Sequence, residues 1–436
     1  MERAGSAAAE LAARLASDRE KDVLVLAGPG NNGGDARIVA ERLRAQFFRV
    51  SVVERPAELP ERARWALVVD GLFGIGLARE IAGEHARLVD YANAQPCPVL
   101  ALDIPSGLHS DTGRVLGRAV RASHTLTFIA LKPGLLTLDG PDHCGEVSVA
   151  DLGVDVGQPG AWVASPELFR GALKRRPRNF HKGMAGSVAI VGGAAGMSGA
   201  PLLAGRAALR LGAGRVYVGL LDTTLGVDPG APELMLRHAD DALGLDLEAL
   251  VIGPGLGDGE RAETLLGAAL SSDLPCVLDA DALNLIAENP DLRQACARRK
   301  AETLLTPHPA EAGRLLAEPT AAVQADRVKA ARMLAQNLNA HVVLKGAGSI
   351  LVARDGHWFI NTSGNPGMAS AGMGDVLSGI LGALLAQGLT GESALVLGTH
   401  LHGAAADELA RGAVGPVGMT ASEVIDSARR LWNSWL

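Results

Sequence analysis

Gly372-Met373-Gly374-Asp375 stands immediately before a long apolar helical pattern near the end of the chain. A helix start offers unpaired backbone N–H groups and the positive end of the helix dipole, so it can hold the charge of a transferring phosphoryl group. Asp375 at that start is placed to accept a proton from a substrate hydroxyl. Alone, such an Asp is most often a helix cap. The Gly-rich stretch Asn361–Ala371 before it and the strand-ending Lys345 of Leu344–Ser349 (LKGAGS) favour a catalytic reading. Four further polar loops follow apolar runs: Gly192–Ala200 (GGAAGMSGA), Gly253–Gly257 (GPGLG), Leu278–Asn284 (LDADALN) and Thr306–Glu311 (TPHPAE). His308 lies between two prolines that stiffen its loop, which favours ligand contact over a structural role.

A second set of candidates lies in the first half. Gly28–Ala36 (GPGNNGGDA) sits between an apolar run and a helical pattern around Ile38–Ala45. Its glycines permit tight turns and close backbone approach to a ligand, and the helix behind it favours an anion. The sequence is neither a dinucleotide fingerprint nor a Walker loop. A plain turn capped by Asp35 is the bland alternative; Asn31-Asn32 with Asp35 is too polar for it. Asp70, opening Asp70–Glu80 (DGLFGIGLARE), and Asp103, opening Asp103–Gly113 (DIPSGLHSDTG), both follow apolar runs. They therefore stand at the carboxyl ends of expected parallel strands, the edge where doubly wound sheets bind ligands. Oxygen atoms of Asn32, Asp70 and Ser106 suit a hard cation, and few formal charges converge there, which fits a monovalent one.

The elements that must carry these loops alternate along the chain. Val23–Ala27, Val50–Val53, Ala66–Asp70, Val99–Leu102 and Thr125–Ile129 read as strands, with helices at residues 1–16 and His85–Asn93. Continuous apolar runs indicate strands covered on both faces, hence a parallel α/β sheet. Periodicity fades over Asp155–Pro166, a linker, and a second alternation starts at Ser187–Val191. It continues through Arg215–Val218, Ala249–Ile252, Cys276–Leu278, Thr303–Leu305 and Val342–Leu344, then two long helices from about Asp375 and Glu392. Two α/β domains follow, residues 1–157 and 165–436.

The 436 residues carry 41 Lys+Arg against 48 Asp+Glu, a net charge of −7, which argues against nucleic-acid binding and a polybasic membrane anchor. Aromatic residues make up 3%, too few for base-stacking platforms. Cys97, Cys144, Cys276 and Cys296 are widely spaced and lack metal-ligand spacing, so reduced thiols in a cytoplasmic protein are expected. No run is long enough to span a bilayer.

GPGNNGGD, DGLFGIGL and DIPSG, in this order, resemble the NAD(P)H-hydrate epimerase domain over nearly all of residues 1–150. That resemblance implies nucleotide binding by Asn31, Asn32, Gly33, Gly34 and Asp35 and by Gly74, Ile75, Gly76, Leu77, Ala78, Arg79 and Glu80. It implies a substrate-binding, catalytic Asp103 and potassium ligands Asn32, Asp70 and Ser106. Ala36 and Arg37 depart from the Gly and the aromatic or aliphatic residue usual after GNNGGD. Family members also usually carry a further helical segment before the residues matching Met1–Gly5. The GxGD arrangement resembles the ribokinase-like superfamily. The set HKGxxG, GGAAGMSGA, GPGLG, DADALN, TPHPAE, LKG and NPGMASAGMGD is similar to the ADP-dependent NAD(P)H-hydrate dehydratase over about Phe180–Ala406. By motif, Ala200, Gly255, His308 and Asp375 fall on positions binding hydrated substrate. Lys345, Gly346, Ala347, Gly348, Ser349 and Gly374 fall on positions binding the adenine nucleotide, Ser349 replacing a common Thr.

The fusion resembles the bifunctional nicotinamide nucleotide repair enzymes. The resemblance implies epimerisation of R and S hydrates of NADH and NADPH, then ADP-dependent dehydration of the S form with Mg²⁺ on the nucleotide, giving AMP and phosphate. Hydrated NAD(P)H and ADP are the expected partners, potassium an expected cofactor of the first domain, and a homo-oligomer the expected assembly. Two alternatives stay open: a ribokinase-like small-molecule kinase with a stable phosphorylated product, and a first domain that binds nucleotide without catalysis.

Overall fold

The computed structural model describes residues 1–60, 64–157, 159–412 and 415–436. The chain divides into two compact units, Met1–Pro159 and Gly160–Leu436. No helix among the described residues is long and apolar enough to cross a membrane.

The first unit is built on six parallel strands: β1 Asp22–Ala27, β2 Val50–Val53, β3 Trp65–Gly71, β4 Val99–Leu102, β5 His124–Phe128 and β6 Glu146–Ala150. Their order is β2-β1-β3-β4-β5-β6, with the direction of winding reversing between β1 and β3. The inner strands β1, β3 and β4 read as unbroken apolar runs because both faces are covered, whereas edge strand β6 is largely exposed and its sequence EVSVA shows no such run. Val23, Val25 and Ala27 pack with helices Glu2–Leu15 and Asn31–Ala45, whereas Leu24 and Leu26 pack with helix Gly83–Asn93. The fifth strand stops at Phe128, one residue short of the expected end, because Ile129 turns into the left-handed region at φ 69°.

The second unit holds a ten-stranded sheet. Its strands are β7 Trp162–Val163, β8 Ser187–Gly192, β9 Arg215–Leu220, β10 Met235–His238, β11 Ala249–Ile252, β12 Cys276–Leu278, β13 Thr303–Leu305, β14 His341–Leu344, β15 Ser349–Val352 and β16 Trp358–Asn361. The order is β10-β9-β8-β11-β12-β13-β14-β15-β16-β7, parallel except for β15, which runs antiparallel to both neighbours. Here the switch point lies between β8 and β11. Helix Met373–Ala386 is buried along most of its length, and its Met, Val, Ile, Leu and Ala residues join the main core. Two residues of the expected linker, Trp162 and Val163, instead form edge strand β7 against β16. Gln158, in the same stretch, lies outside the described residues. The four cysteines are free; burial pushes Cys144 and Cys296 up to about 12 and Cys276 to about 11.

Candidate active sites

The first site lies at the carboxyl edge of β1, β3, β4 and β5. The helix after β1 starts at Asn31, not near Ile38, with Gly30 at its N-cap. Asn31-Asn32-Gly33-Gly34-Asp35 is therefore the opening of the helix itself, and Asp35 is no cap. The turn demands glycine: a Cβ on Gly33 would lie 1.9 Å from the Gly28 carbonyl oxygen. Asn31 is exposed, while Asn32 is buried; its Nδ2 donates to the Phe73 carbonyl at 3.0 Å. Asn32 Oδ1 and Asp35 Oδ1 are buried and hold no hydrogen bond among the described residues. Burial raises the Asp35 pKa, helped by Asp103 and opposed by the Met1 ammonium 3.8 Å away.

Asp70, next to last in β3, is fully buried. Its Oδ2 accepts from Ser106 N at 2.8 Å, and its Oδ1 accepts from Ser106 Oγ at 2.6 Å and Leu72 N at 3.2 Å. Burial nevertheless pushes its pKa up to about 6. Ser106 Oγ also accepts from Phe73 N at 2.8 Å, tying together the loops after β3 and β4.

Asp103 follows β4 in the left-handed region, φ 66°, an uncommon conformation for a non-glycine residue. A Cβ built on Gly74 would lie 3.4 Å from Asp103 Oδ2 and 3.5 Å from Asn32 Cβ. Asn32, Gly74 and Asp103 are thus neighbours, as sequence order alone could not show. Of the remaining loop residues, Leu77 is half-buried, and Ile75, Gly76, Ala78, Arg79 and Glu80 are exposed.

Lys132, beyond β5, escaped the sequence reading. Its Nζ donates to Asp103 Oδ1 at 2.6 Å. The available signal was a Lys-Pro pair just past the end of a third neighbouring strand. The two departures after GNNGGD also have a physical account. Ala36 is fully buried against Gly71 of β3, while Arg37 pairs with Glu54 at 2.7 Å and donates to the Gly28 carbonyl at 3.3 Å.

In the second unit, loops after β8 and β11 meet across the switch point. Ala194 N donates to the Gly255 carbonyl at 2.7 Å, and Gly255 adopts φ 58° beneath the Met197 backbone. Gly257 N donates to Asp281 Oδ2 at 2.9 Å, joining GPGLG to DADALN. Ala200, half-buried, is the second residue of helix Gly199–Arg210.

Asp375 is the third residue of helix Met373–Ala386, and the N-cap is Gly372 at φ 86°. The capping alternative therefore fails on position. Burial, joined by the charges of Asp279 and Asp281 and opposed by Lys345, pushes Asp375 up to about 6. Lys345 Nζ lies 3.1 Å from Asp279 Oδ1 and 4.0 Å from Glu311 Oε2. A Cβ on Gly374 would lie 3.3 Å from that Nζ. The ammonium thus sits beneath the helix opening rather than reaching outward.

Asp279, just past the end of β12 in the quoted LDADALN loop, was left unmarked by the sequence reading. It is fully buried, and Ser378 Oγ donates to its Oδ2 at 2.6 Å. Burial works against both charges of the pair. Lys345 and the Ser378 and Thr306 hydroxyls nevertheless hold Asp279 below the ordinary carboxylate range, and Asp279 with Glu311 holds Lys345 above the ordinary lysine value.

His308 caps helix Pro309–Leu316. Its Nδ1 accepts from Ala310 N at 3.1 Å and Glu311 N at 3.2 Å, and its Nε2 lies 3.2 Å from Glu311 Oε1. The ring is exposed, but its nitrogens are engaged in its own turn, and burial of part of the ring lowers its pKa. The Lys345–Ser349 turn between β14 and β15 closes on itself: Ser349 Oγ donates to the Gly346 carbonyl at 3.0 Å. Beneath it lies the buried guanidinium of Arg327, also unmarked in the sequence, which donates to the Leu344 and Lys345 carbonyls at 3.3 Å. Burial pushes Arg327 down to about 10.

The switch-point loops, the Gly-x-Gly-Asp helix opening and the mixed β edge define the second unit as ribokinase-like, joined to a doubly wound parallel unit. Solved structures agree. The second unit is similar to the ADP/ATP-dependent NAD(P)H-hydrate dehydratase of Bacillus subtilis co-crystallised with ATP/Mg²⁺, with TM-score 0.56 and 29% identity over 63% of this chain and 99% of that one. A ribokinase-like superfamily protein of Enterococcus faecalis, 23% identical with TM-score 0.55 over 65% of this chain and 99% of that one, shares the fold. The NAD(P)H-hydrate dehydratase family model matches residues 188–430, and the model for the YjeF-related protein N-terminus matches 1–67 and 56–134. The bifunctional NAD(P)H-hydrate repair enzyme of Escherichia coli is 40% identical, with 99% of this chain and 89% of that protein covered. Its counterpart in Coxiella burnetii is 38% identical, with 99% and 94% covered. The chain belongs to the family of bifunctional NAD(P)H-hydrate repair enzymes.

Proposed function

We propose that this enzyme restores NADH and NADPH that have added water across the C5–C6 double bond of the nicotinamide ring. The first unit interconverts the R and S hydrates, and the second dehydrates the S form with ADP. The observation that carries the reading is Asp375, partly buried directly behind Gly-Met-Gly, outside the cap position and beside the Lys345–Asp279 pair.

In the first unit, the Asn31–Asp35 helix opening and the Gly74–Glu80 loop hold the nucleotide. Asp103 takes the C6 hydroxyl proton, the C6–N1 bond breaks as a carbonyl forms, and N1 retains the electron pair and gains a proton. Closure on the opposite carbonyl face and return of the protons give the other epimer. Asn32, Asp70 and Ser106 would hold a potassium ion. The buried acceptor Asn32 Oδ1, without a hydrogen-bond donor among the described residues, and the oxygen-rich set fit such an ion. The ion supplies a fixed positive charge among these oxygens.

In the second unit, Ala200, Gly255 and His308 bound the substrate pocket, and Lys345–Ser349 with Gly374 bound the nucleotide. Asp375 takes the C6 hydroxyl proton while that oxygen bonds to the β-phosphorus of ADP and AMP departs. Amides of Gly372–Gly374 hold the transferring charge. The N1 electron pair then expels phosphate from C6, and loss of a C5 proton restores the double bond. Magnesium, carried on the nucleotide, supplies neutralisation of phosphate charge.

The test incubates an equal mixture of the R and S hydrates of NADH with ADP, Mg²⁺ and K⁺ and follows absorbance of the reduced nicotinamide. The reading requires restoration of the whole mixture. Arrest at half removes the epimerase activity, and no restoration removes the dehydratase activity.

A further inference from the structure

We propose that Lys132 is a positioning residue of the first unit, which clamps Asp103 by one carboxylate oxygen and leaves the other for the substrate. The inference rests on Asp103 as the proton-transfer group. Lys132 Nζ donates to Asp103 Oδ1 at 2.6 Å, Thr127 Oγ1 at 2.8 Å and the Phe128 carbonyl at 2.7 Å. An ammonium has three N–H donors, and all three are engaged. Lys132 therefore has no proton left to offer a ligand, which separates it from a catalytic acid.

The same geometry polarises the carboxylate. Oδ1 carries the lysine and lies 3.4 Å from Phe128 N and 3.5 Å from Thr127 Oγ1. Oδ2 carries no hydrogen bond among the described residues and lies on the Gly74 side, where the loop expected to hold the nucleotide begins. Both side chains are largely buried, 17% and 13% exposed, so the contact is weakly screened by solvent. Asp103 sits at positive φ, and a lysine anchored to β5 fixes a side chain whose backbone conformation is itself uncommon. Misplacing a reacting group by about 1 Å costs ~10²-fold in rate. The clamp should act on kcat, because the groups that hold the nucleotide are elsewhere.

The experiment measures kcat and KM of the full-length enzyme for R-hydrate consumption, with dehydration by the second unit kept in excess. Lys132→Met should lower kcat ~10²-fold with KM changed less than about twofold. Adding Lys132→Met to Asp103→Asn should slow the enzyme no further. Lys132→Arg keeps the charge and fills the space, so it decides the question where the Met variant does not fold. Its planar fork can engage both carboxylate oxygens, so kcat should still fall at least ~10-fold at unchanged KM. Wild-type kcat in Lys132→Arg, a loss confined to KM, or a full further loss on top of Asp103→Asn would overturn the proposal. Full activity in Asp103→Asn would instead overturn the role of Asp103 itself.

Discussion

Asp375→Asn separates the chemistry of the second unit from its stability. In the folded protein, burial and Asp279 raise the Asp375 carboxyl from 3.8 to about 6. Below the unfolded value both states are protonated and the site carries no electrostatic penalty. Above about 6 both are ionised, and the folded state bears the cost of a partly buried charge. At about 1.4 kcal/mol per pKa unit, that cost reaches up to about 3 kcal/mol at neutral pH. Asparagine has nearly the same shape and no charge, so the variant should be more stable than wild type above pH 6, with the gain fading towards pH 4. The nucleotide-free second unit should show the gain as a thermal midpoint several degrees higher at pH 8. Dehydration should fall ~10²–10⁴-fold with ADP binding retained, as for loss of a general base. A variant with near-normal turnover places the base elsewhere. One with no gain in midpoint at pH 8 over pH 5 refutes the electrostatic reasoning.

Asp103→Ala should leave about half of an equal mixture of R and S hydrates unrepaired while S-hydrate dehydration continues; complete restoration would contradict its role. Asp70→Ala should weaken epimerisation and its dependence on potassium and spare dehydration. Rates that do not change when K⁺ is replaced by a large organic cation would count against the cation site. Lys345→Met strands the buried Asp279 carboxylate without its cation and should destabilise the second unit by about 3–5 kcal/mol in denaturant melts. Asp279→Asn in the same chain should recover much of that loss; an equal loss in the double variant would show that the pair's charge is not the cause.

Much of both sheets was legible because strands covered on two faces are continuous apolar runs. Ala249–Ile252, Cys276–Leu278 and Thr303–Leu305 coincide with their sequence runs residue for residue. The start of the helix at Asn31 was hidden by two asparagines and two glycines, poor helix formers that local propensity assigns to a turn. Close approach of the backbone at Gly28 and Gly33 overrides that preference. Strands β7 and β10 are short and only partly buried, so their apolar signal is weak. Individual candidate residues were marked where a motif displayed them, as at Asp70, Asp103 and Asp375. Partnerships were not: Lys132 with Asp103 spans 29 residues and Lys345 with Asp279 spans 66, and only the sheet order brings each pair together.

The most direct test of the account supplies the pure R hydrate of NADH with ADP, Mg²⁺ and K⁺ and quantifies every product. Neither activity alone can complete this conversion: the R form must first be epimerised, and the S form must then pass its oxygen to phosphate. The account predicts NADH, AMP and inorganic phosphate in equal amounts, with no phosphorylated nicotinamide nucleotide accumulating. Persistence of the R hydrate, or AMP formed together with a stable phosphoester instead of free phosphate, would contradict it.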